Sequence, residues 1–286
     1  MSYWTHCLLV LCLVPPLLAE ESPIDSASSL ATIGTDFGLA DGPAWDGAGV
    51  LYVPDVKGQK LFAWRPESQS WTIVIEDAGR ISASFFRHGR LYLSDNGNAA
   101  IATLRDGERT AIREFPGEKP DRPNDLVVDR GGGIYVTLTA QNEVAYVTPN
   151  GDQSIAVSEI DSPNGITLSP DERTLYVAAY KPKQIWAFDL SAAGETSNRR
   201  LFATMDDGAA LGADGMTIDS AGNVYCAGAT DVWIWSPGGK LLAKIACPTR
   251  PINCAFGDAD RQSLYIAGFG GVYRQRMRVA GLDPAR

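Results

Sequence analysis

Six polar positions in this chain are spaced to do chemistry together. They are Asp41 in ADGPAWDGAG, Ser82 in ISASFFRHG, Asn124 in PNDLVVDRGG, Asn164 in PNGITLSPDE, Asp214 in ADGMTIDSAG and Asn253 in INCAFGDAD. Each precedes a recurring aliphatic–Tyr pair, by ten residues for Asp41, Asn124 and Asp214, eleven for Asn164 and Asn253, and nine for Ser82. Brought to one axis, the two carboxylates would repel unless a cation lay between them. Carboxylates and amide carbonyls without His or Cys are the donors of a hard cation such as Ca²⁺ or Mg²⁺. Taken singly, an Asp-Gly or Asn-Gly pair is a turn former; the register shared by six copies argues for a site.

Other chemistry is poorly supplied. The histidines are His6, in an apolar leading segment, and His88, in the tight turn Arg87-His88-Gly89-Arg90. That argues against a Ser-His-Asp triad and against a His-ligated transition metal. Ser82 and Ser84 therefore lack the partner that would activate a nucleophile. Of the cysteines, Cys7 and Cys12 lie in the leading segment. Cys226, Cys247 and Cys254 remain, an odd set that reads as small buried hydrophobes, with a Cys247–Cys254 bridge the one pairing to consider. A net charge of −9 with acids and bases intermixed argues against a nucleic-acid partner.

The leading segment carries an uncharged apolar run at 7–19, too short to span a bilayer comfortably. The expectation is a signal peptide over residues 1–19, cleaved near Ala19, leaving an exported, periplasmic or secreted protein with no further membrane segment. A membrane anchor is the alternative.

The elements that must carry the six positions are repeated hairpins. LYVPDVKGQKLFAW returns as LYLSDNGNAAIATL, IYVTLTAQNEVAYV, LYVAAYKPKQIWAF, VYCAGATDVWIW and LYIAGFGGVYR. These begin at 51, 91, 134, 175, 224 and 264, at intervals of 40, 43, 41, 49 and 40 residues. Short apolar segments at that period predict an all-β, six-bladed β-propeller with four antiparallel strands per blade, one domain over residues 20–286. The sixth unit runs out of chain after its third strand, so residues 29–33 are expected to supply the fourth and close the ring. In a propeller each blade's first strand lines the central channel, which puts the six polar positions at one mouth.

At these residues the chain resembles the regucalcin/gluconolactonase family of six-bladed propeller hydrolases. The matching stretches are Asp41-Gly42-Pro43-Ala44-Trp45-Asp46, Arg122-Pro123-Asn124-Asp125, Ser162-Pro163-Asn164-Gly165-Ile166, Asp214-Gly215-Met216 and Asn253-Cys254-Ala255. The resemblance implies one divalent cation, Ca²⁺ first with Mg²⁺, Mn²⁺ and Zn²⁺ open, held by Asp41, Asn164 and Asp214. In some members the position of Asn124 also binds the ion; in others it and that of Arg122 contact substrate. Two departures stand out: Asp41 where the family usually has Glu, and the short loop 138–142 where it often has a longer one beginning Asp-Pro.

What the resemblance implies is a metal-dependent lactonase acting on a small sugar lactone; a carboxylate beside the ion can activate water, and Asp214 is the expected base. A phosphotriesterase-like hydrolase using the same site, and a non-catalytic Ca²⁺-binding propeller, are the alternatives.

Overall fold

The computed structural model describes residues 21–117, 121–210 and 212–285. The expected signal peptide lies outside the described residues. β1 (Ala31–Phe37) comes first in the chain and last in the ring. Blade 1 is β2 (Ala44–Trp45), β3 (Leu51–Asp55), β4 (Lys60–Arg65) and β5 (Ser70–Ile75). Blade 2 is β6 (Ile81–Arg87), β7 (Arg90–Asp95), β8 (Ala100–Arg105) and β9 (Glu108–Glu114). Blade 3 is β10 (Leu126–Val128), β11 (Ile134–Leu138), β12 (Glu143–Val147) and β13 (Gln153–Val157). Blade 4 is β14 (Pro163–Leu168), β15 (Thr174–Ala179), β16 (Gln184–Ala192) and β17 (Glu195–Thr204). Blade 5 is β18 (Met216–Ile218), β19 (Val224–Ala227), β20 (Asp231–Trp235) and β21 (Leu241–Ala246). Blade 6 is β22 (Pro251–Gly257), β23 (Ser263–Gly268) and β24 (Gly270–Arg276), completed by β1.

The expected six-bladed propeller is therefore the fold. The closing strand pairs antiparallel with β24, from Ala31 opposite Arg274 to Phe37 opposite Gly270, so it starts later and runs longer than the 29–33 expected. Packing between neighbouring first strands runs round the whole ring: β2, β6, β10, β14, β18, β22 and back to β2. β1 covers the edge that β24 would otherwise leave open and becomes the outer strand of blade 6. Among the described residues no helix is long and apolar enough to cross a membrane.

In blades 5 and 6 the recurring Tyr has a physical role. Tyr225 donates to Asp219 Oδ2 at 2.9 Å, and Tyr265 donates to Asp258. Each Asp closes the turn after its blade's first strand, Asp219 Oδ1 also accepting from the amides of Ala221 and Asn223 at 2.9 Å. The blade's second strand thus clamps the end of its first. In blade 3 the clamp comes from β12 instead, Tyr146 donating to Asp129 at 3.0 Å.

The far end of the channel holds a cavity of about 110 Å³ with apolar walls, Trp45, Phe85, Ile218 and Phe256 among them, and a charged rim that includes Arg87, Arg130 and Glu172. Polar chemistry collects at the opposite end.

Candidate functional site

The polar starts do converge. Ser82 Oγ donates to Asp41 Oδ2 at 2.6 Å and lies 3.3 Å from Asn124 Oδ1. Asn253 Nδ2 donates to Asp125 Oδ1 at 2.9 Å and reaches Asp41 Oδ1 at 3.3 Å. On the other side, Asp214 accepts from Arg250 Nη2 at 3.2 Å, and the Asn164 side chain acts to lower its carboxyl. Arg250 Nη2 also donates to the Tyr180 hydroxyl. Asp41, Asp125, Asp214 and Asn253 are all buried.

Local backbone contacts explain how six separate loops arrive together. The amides of Asp41, Asn124 and Asp214 donate to Pro54, Thr137 and Ala227 carbonyls at 3.0, 2.9 and 2.9 Å, anchoring each to its own blade's second strand. Between blades, Ser84 N donates to Gly42 O, Ala83 N to Asn124 O and Gly215 N to Ile252 O.

The glycines that follow the polar residues serve this closeness. A Cβ on Gly165 would lie 2.1 Å from the Asp214 carbonyl oxygen, and one on Gly215 2.0 Å from Asn253 Cγ. Asn164-Gly165 sits inside β14, so the pair is a close-packing device of the channel and not a turn. A glycine lets one backbone approach another where any side chain would collide.

Burial dominates the electrostatics. It pushes the Asp214 carboxyl up to about 8, with Asp41's charge adding to the rise and Arg250 and Asn164 opposing it. Burial likewise holds Asp125 well above the usual carboxylate range, reinforced by the charges of Asp41 and Asp214 and eased by Asn253. Asp41 is raised by burial and eased by Ser82, the Gly42 amide and Asn253. The donor set is all oxygen, and of the three buried carboxylates Asp214 alone meets a guanidinium, that of Arg250. That is an excess of negative charge, and it fits a hard cation. Among the described residues no three His, Cys, Asp or Glu side chains form a metal-holding group by themselves, so amide oxygens would have to complete any coordination.

Asp41, Asn124, Asn164 and Asp214 all stand in this network. Arg122 does not join it: its Nη1 donates to the carbonyls of Asn96 and Gly97 in the β7–β8 turn, and the residue is exposed. The short loop after β11 forms a 3₁₀ turn, Thr139–Gln141, and brings Thr139 Oγ1 to accept from Asn124 Nδ2 at 3.0 Å.

Sequence reasoning missed Asp125, Arg250 and Tyr180. Strict strand alternation would turn Asp125 away from a channel that Asn124 faces. Both residues precede β10, however, and Asn124 reaches sideways to Ser82 and Thr139 while Asp125 reaches Asn253. Arg250 had a signal, because Arg250-Pro251 repeats the Arg122-Pro123 step before a channel strand.

The Cys247–Cys254 bridge does not form, since Cys226, Cys247 and Cys254 are all free. Cys247 follows the outermost strand of blade 5, whereas Cys254 is buried in the innermost strand of blade 6.

Known proteins resemble this chain over most of its length. A gluconolactonase of Zymomonas mobilis is 27% identical, covering 91% of this chain and 85% of that protein. A pentonolactonase of Haloferax volcanii is 25% identical over 84% of each. The solved structure of a gluconolactonase from Xanthomonas campestris superposes with a TM-score of 0.81 at 28% identity, covering 89% of this chain and 91% of that one. The family model described as SMP-30/Gluconolactonase/LRE-like region matches residues 39–269, and the chain belongs to that family.

Proposed function

We propose that this protein is a divalent-cation-dependent lactone hydrolase acting on sugar-type lactones. The observation that carries the proposal is the mouth itself: Asp41, Asp125 and Asp214 buried together among amide donors, with the Arg250 guanidinium at one side. The similarity to gluconolactonases and a pentonolactonase supplies the substrate class.

Asp41, Asn124, Asn164 and Asp214 are the residues that would hold the ion, Ca²⁺ being the best match to their oxygen set. Bound there, such an ion supplies Lewis-acid polarisation of the ester carbonyl. Asp214 takes the proton of the attacking water as its oxygen bonds to the carbonyl carbon. The ring C–O bond then breaks, and the proton passes to the departing ring oxygen, leaving a hydroxy acid. General-base help of this kind contributes about 10²–10⁴-fold. Asn124, fixed by Thr139, is placed by the proposal against the substrate as well as in the ion's shell, whereas Arg122, held on the Asn96 and Gly97 carbonyls, is given no substrate contact.

The test is hydrolysis of a sugar-lactone panel by chelator-stripped protein refilled with Ca²⁺, Mg²⁺, Mn²⁺ or Zn²⁺, corrected for spontaneous ring opening. Turnover restored by an ion and lost in Asp214→Asn supports the proposal; equal turnover before and after stripping overturns the cation dependence. The proposal also places the protein outside the cytoplasm, on the apolar run at 7–19. N-terminal sequencing of the natural protein checks this, the mature chain starting after Ala19.

A further inference from the structure

The guanidinium that reaches the carboxylates is not the one the sequence singles out. Arg122 spends its Nη1 on two backbone carbonyls and is exposed. Arg250, at the start of blade 6, has a side chain 29% exposed and reaches inward to Asp214.

Its geometry is that of a held fork with donors to spare. A guanidinium carries five N–H groups. Arg250 Nη2 serves both Asp214 Oδ2 and the Tyr180 hydroxyl. Nε is buried without a partner, and among the described residues no protein acceptor meets Nη1. The group lies near two rings, its Cζ 5.4 Å from the centroid of Tyr180 and 6.0 Å from that of Phe269. Lys57 stands by the same Phe269 ring, Nζ 5.0 Å from its centroid, exposed and in no ion pair among the described residues. The site therefore has a cationic side, made from blade 1 and blade 6.

We propose that Arg250 is the specificity-determining residue of this site. It selects lactones that carry a second, anionic group, as the lactone of a sugar diacid does. The proposal rests on the lactonase reading above. A neutral sugar lactone offers Nη1 only hydroxyls. A terminal carboxylate offers a planar acceptor pair, and charge-assisted bonds of that kind are shorter and roughly twice as strong as neutral ones. Lys57 adds attraction at longer range.

The experiment compares D-glucono-1,5-lactone with D-glucaro-1,4-lactone on the cation-loaded full chain, as wild type, Arg250→Gln and Arg250→Lys. The wild type is expected to favour the anionic lactone in kcat/KM. Arg250→Gln is expected to lose about 10- to 100-fold on it, mainly through KM, with a smaller loss on the neutral one. Arg250→Lys restores part of the preference by restoring the charge. Calorimetric binding of the two ring-opened acids, glucarate and gluconate, gives a readout apart from turnover. Glucarate is expected to bind the wild type more tightly, and to lose that advantage in Arg250→Gln.

Equal losses on both lactones would show that Arg250 only neutralises Asp214, and would overturn the proposal. So would a wild type that favours neither lactone and neither acid. No hydrolysis of any lactone by the wild type would instead overturn the lactonase reading, and the binding comparison would still decide whether Arg250 takes an anionic ligand.

Discussion

Asn253 donates to Asp125 at 2.9 Å, joining the first strand of blade 6 to the residue just before that of blade 3, the blade opposite in the ring. The same Nδ2 lies 3.3 Å from Asp41 Oδ1, so one amide keeps two buried carboxylates supplied with a donor. Asn253→Ala leaves both short of a donor while buried, at a cost of about 1–3 kcal/mol. Chemical denaturation of the cation-free protein should show that loss as a lower midpoint at an unchanged slope.

Gly165 tests whether the site depends on close backbone approach. Its Cβ would sit 2.1 Å from the carbonyl oxygen of Asp214, so Gly165→Ala must displace the residue assigned as base. The expected result is a loss of about 10²-fold in kcat, the scale of a 1 Å misplacement. Gly107→Ala is the control: its φ of +81° is strained for Ala, but nothing lies within 4 Å. That variant should lose some stability and keep its rate once folded.

Asp214 sets a pH dependence of stability. Its carboxyl titrates at about 8 in the folded protein, against an ordinary value of 3.8. Between those limits the folded state binds more protons than the unfolded chain, so the cation-free protein loses stability as pH rises from about 4 to 8. Asp41 and Asp125, raised for the same reason, push in the same direction. Asp214→Asn removes its share of the slope and should raise the cation-free Tm at pH 8 by about 5 °C or more. Saturating Ca²⁺ should stabilise the wild type most at that same pH, because the ion binds only the folded, ionised site. Calorimetric scans at pH 5 and pH 8, with and without Ca²⁺, check both statements.

The Tyr–Asp clamp is separate from the site. Tyr225→Phe removes the donor 2.9 Å from buried Asp219 and should cost about 1–2 kcal/mol. The rate per folded molecule should stay at the wild-type value. A variant whose rate collapsed while its Tm held would contradict this assignment.

Much of this architecture is local enough to read along the chain. The interval near 40 residues, the aliphatic–Tyr pairs and the turn residues each act within one hairpin, so blade count and the shared register of the polar starts follow from spacing alone. Even the closing strand is legible, because a blade short of one strand needs a partner for its edge. Its offset from 29–33 to Ala31–Phe37 reflects a register set by β24 and not by its own residues.

What the chain by itself determined is a six-bladed ring with oxygen donors at one mouth. Which donors meet was decided only in three dimensions, because those contacts join residues far apart in sequence. Asn253 meets Asp125 and Asp41, and Arg250 meets Tyr180 and Asp214, through blades that neither residue belongs to. The physical reason is that hairpin patterns encode pairing within a sheet. The side-chain contacts at the axis depend on how six sheets twist and pack, and so does the choice of Arg250 over Arg122 as the guanidinium beside the carboxylates.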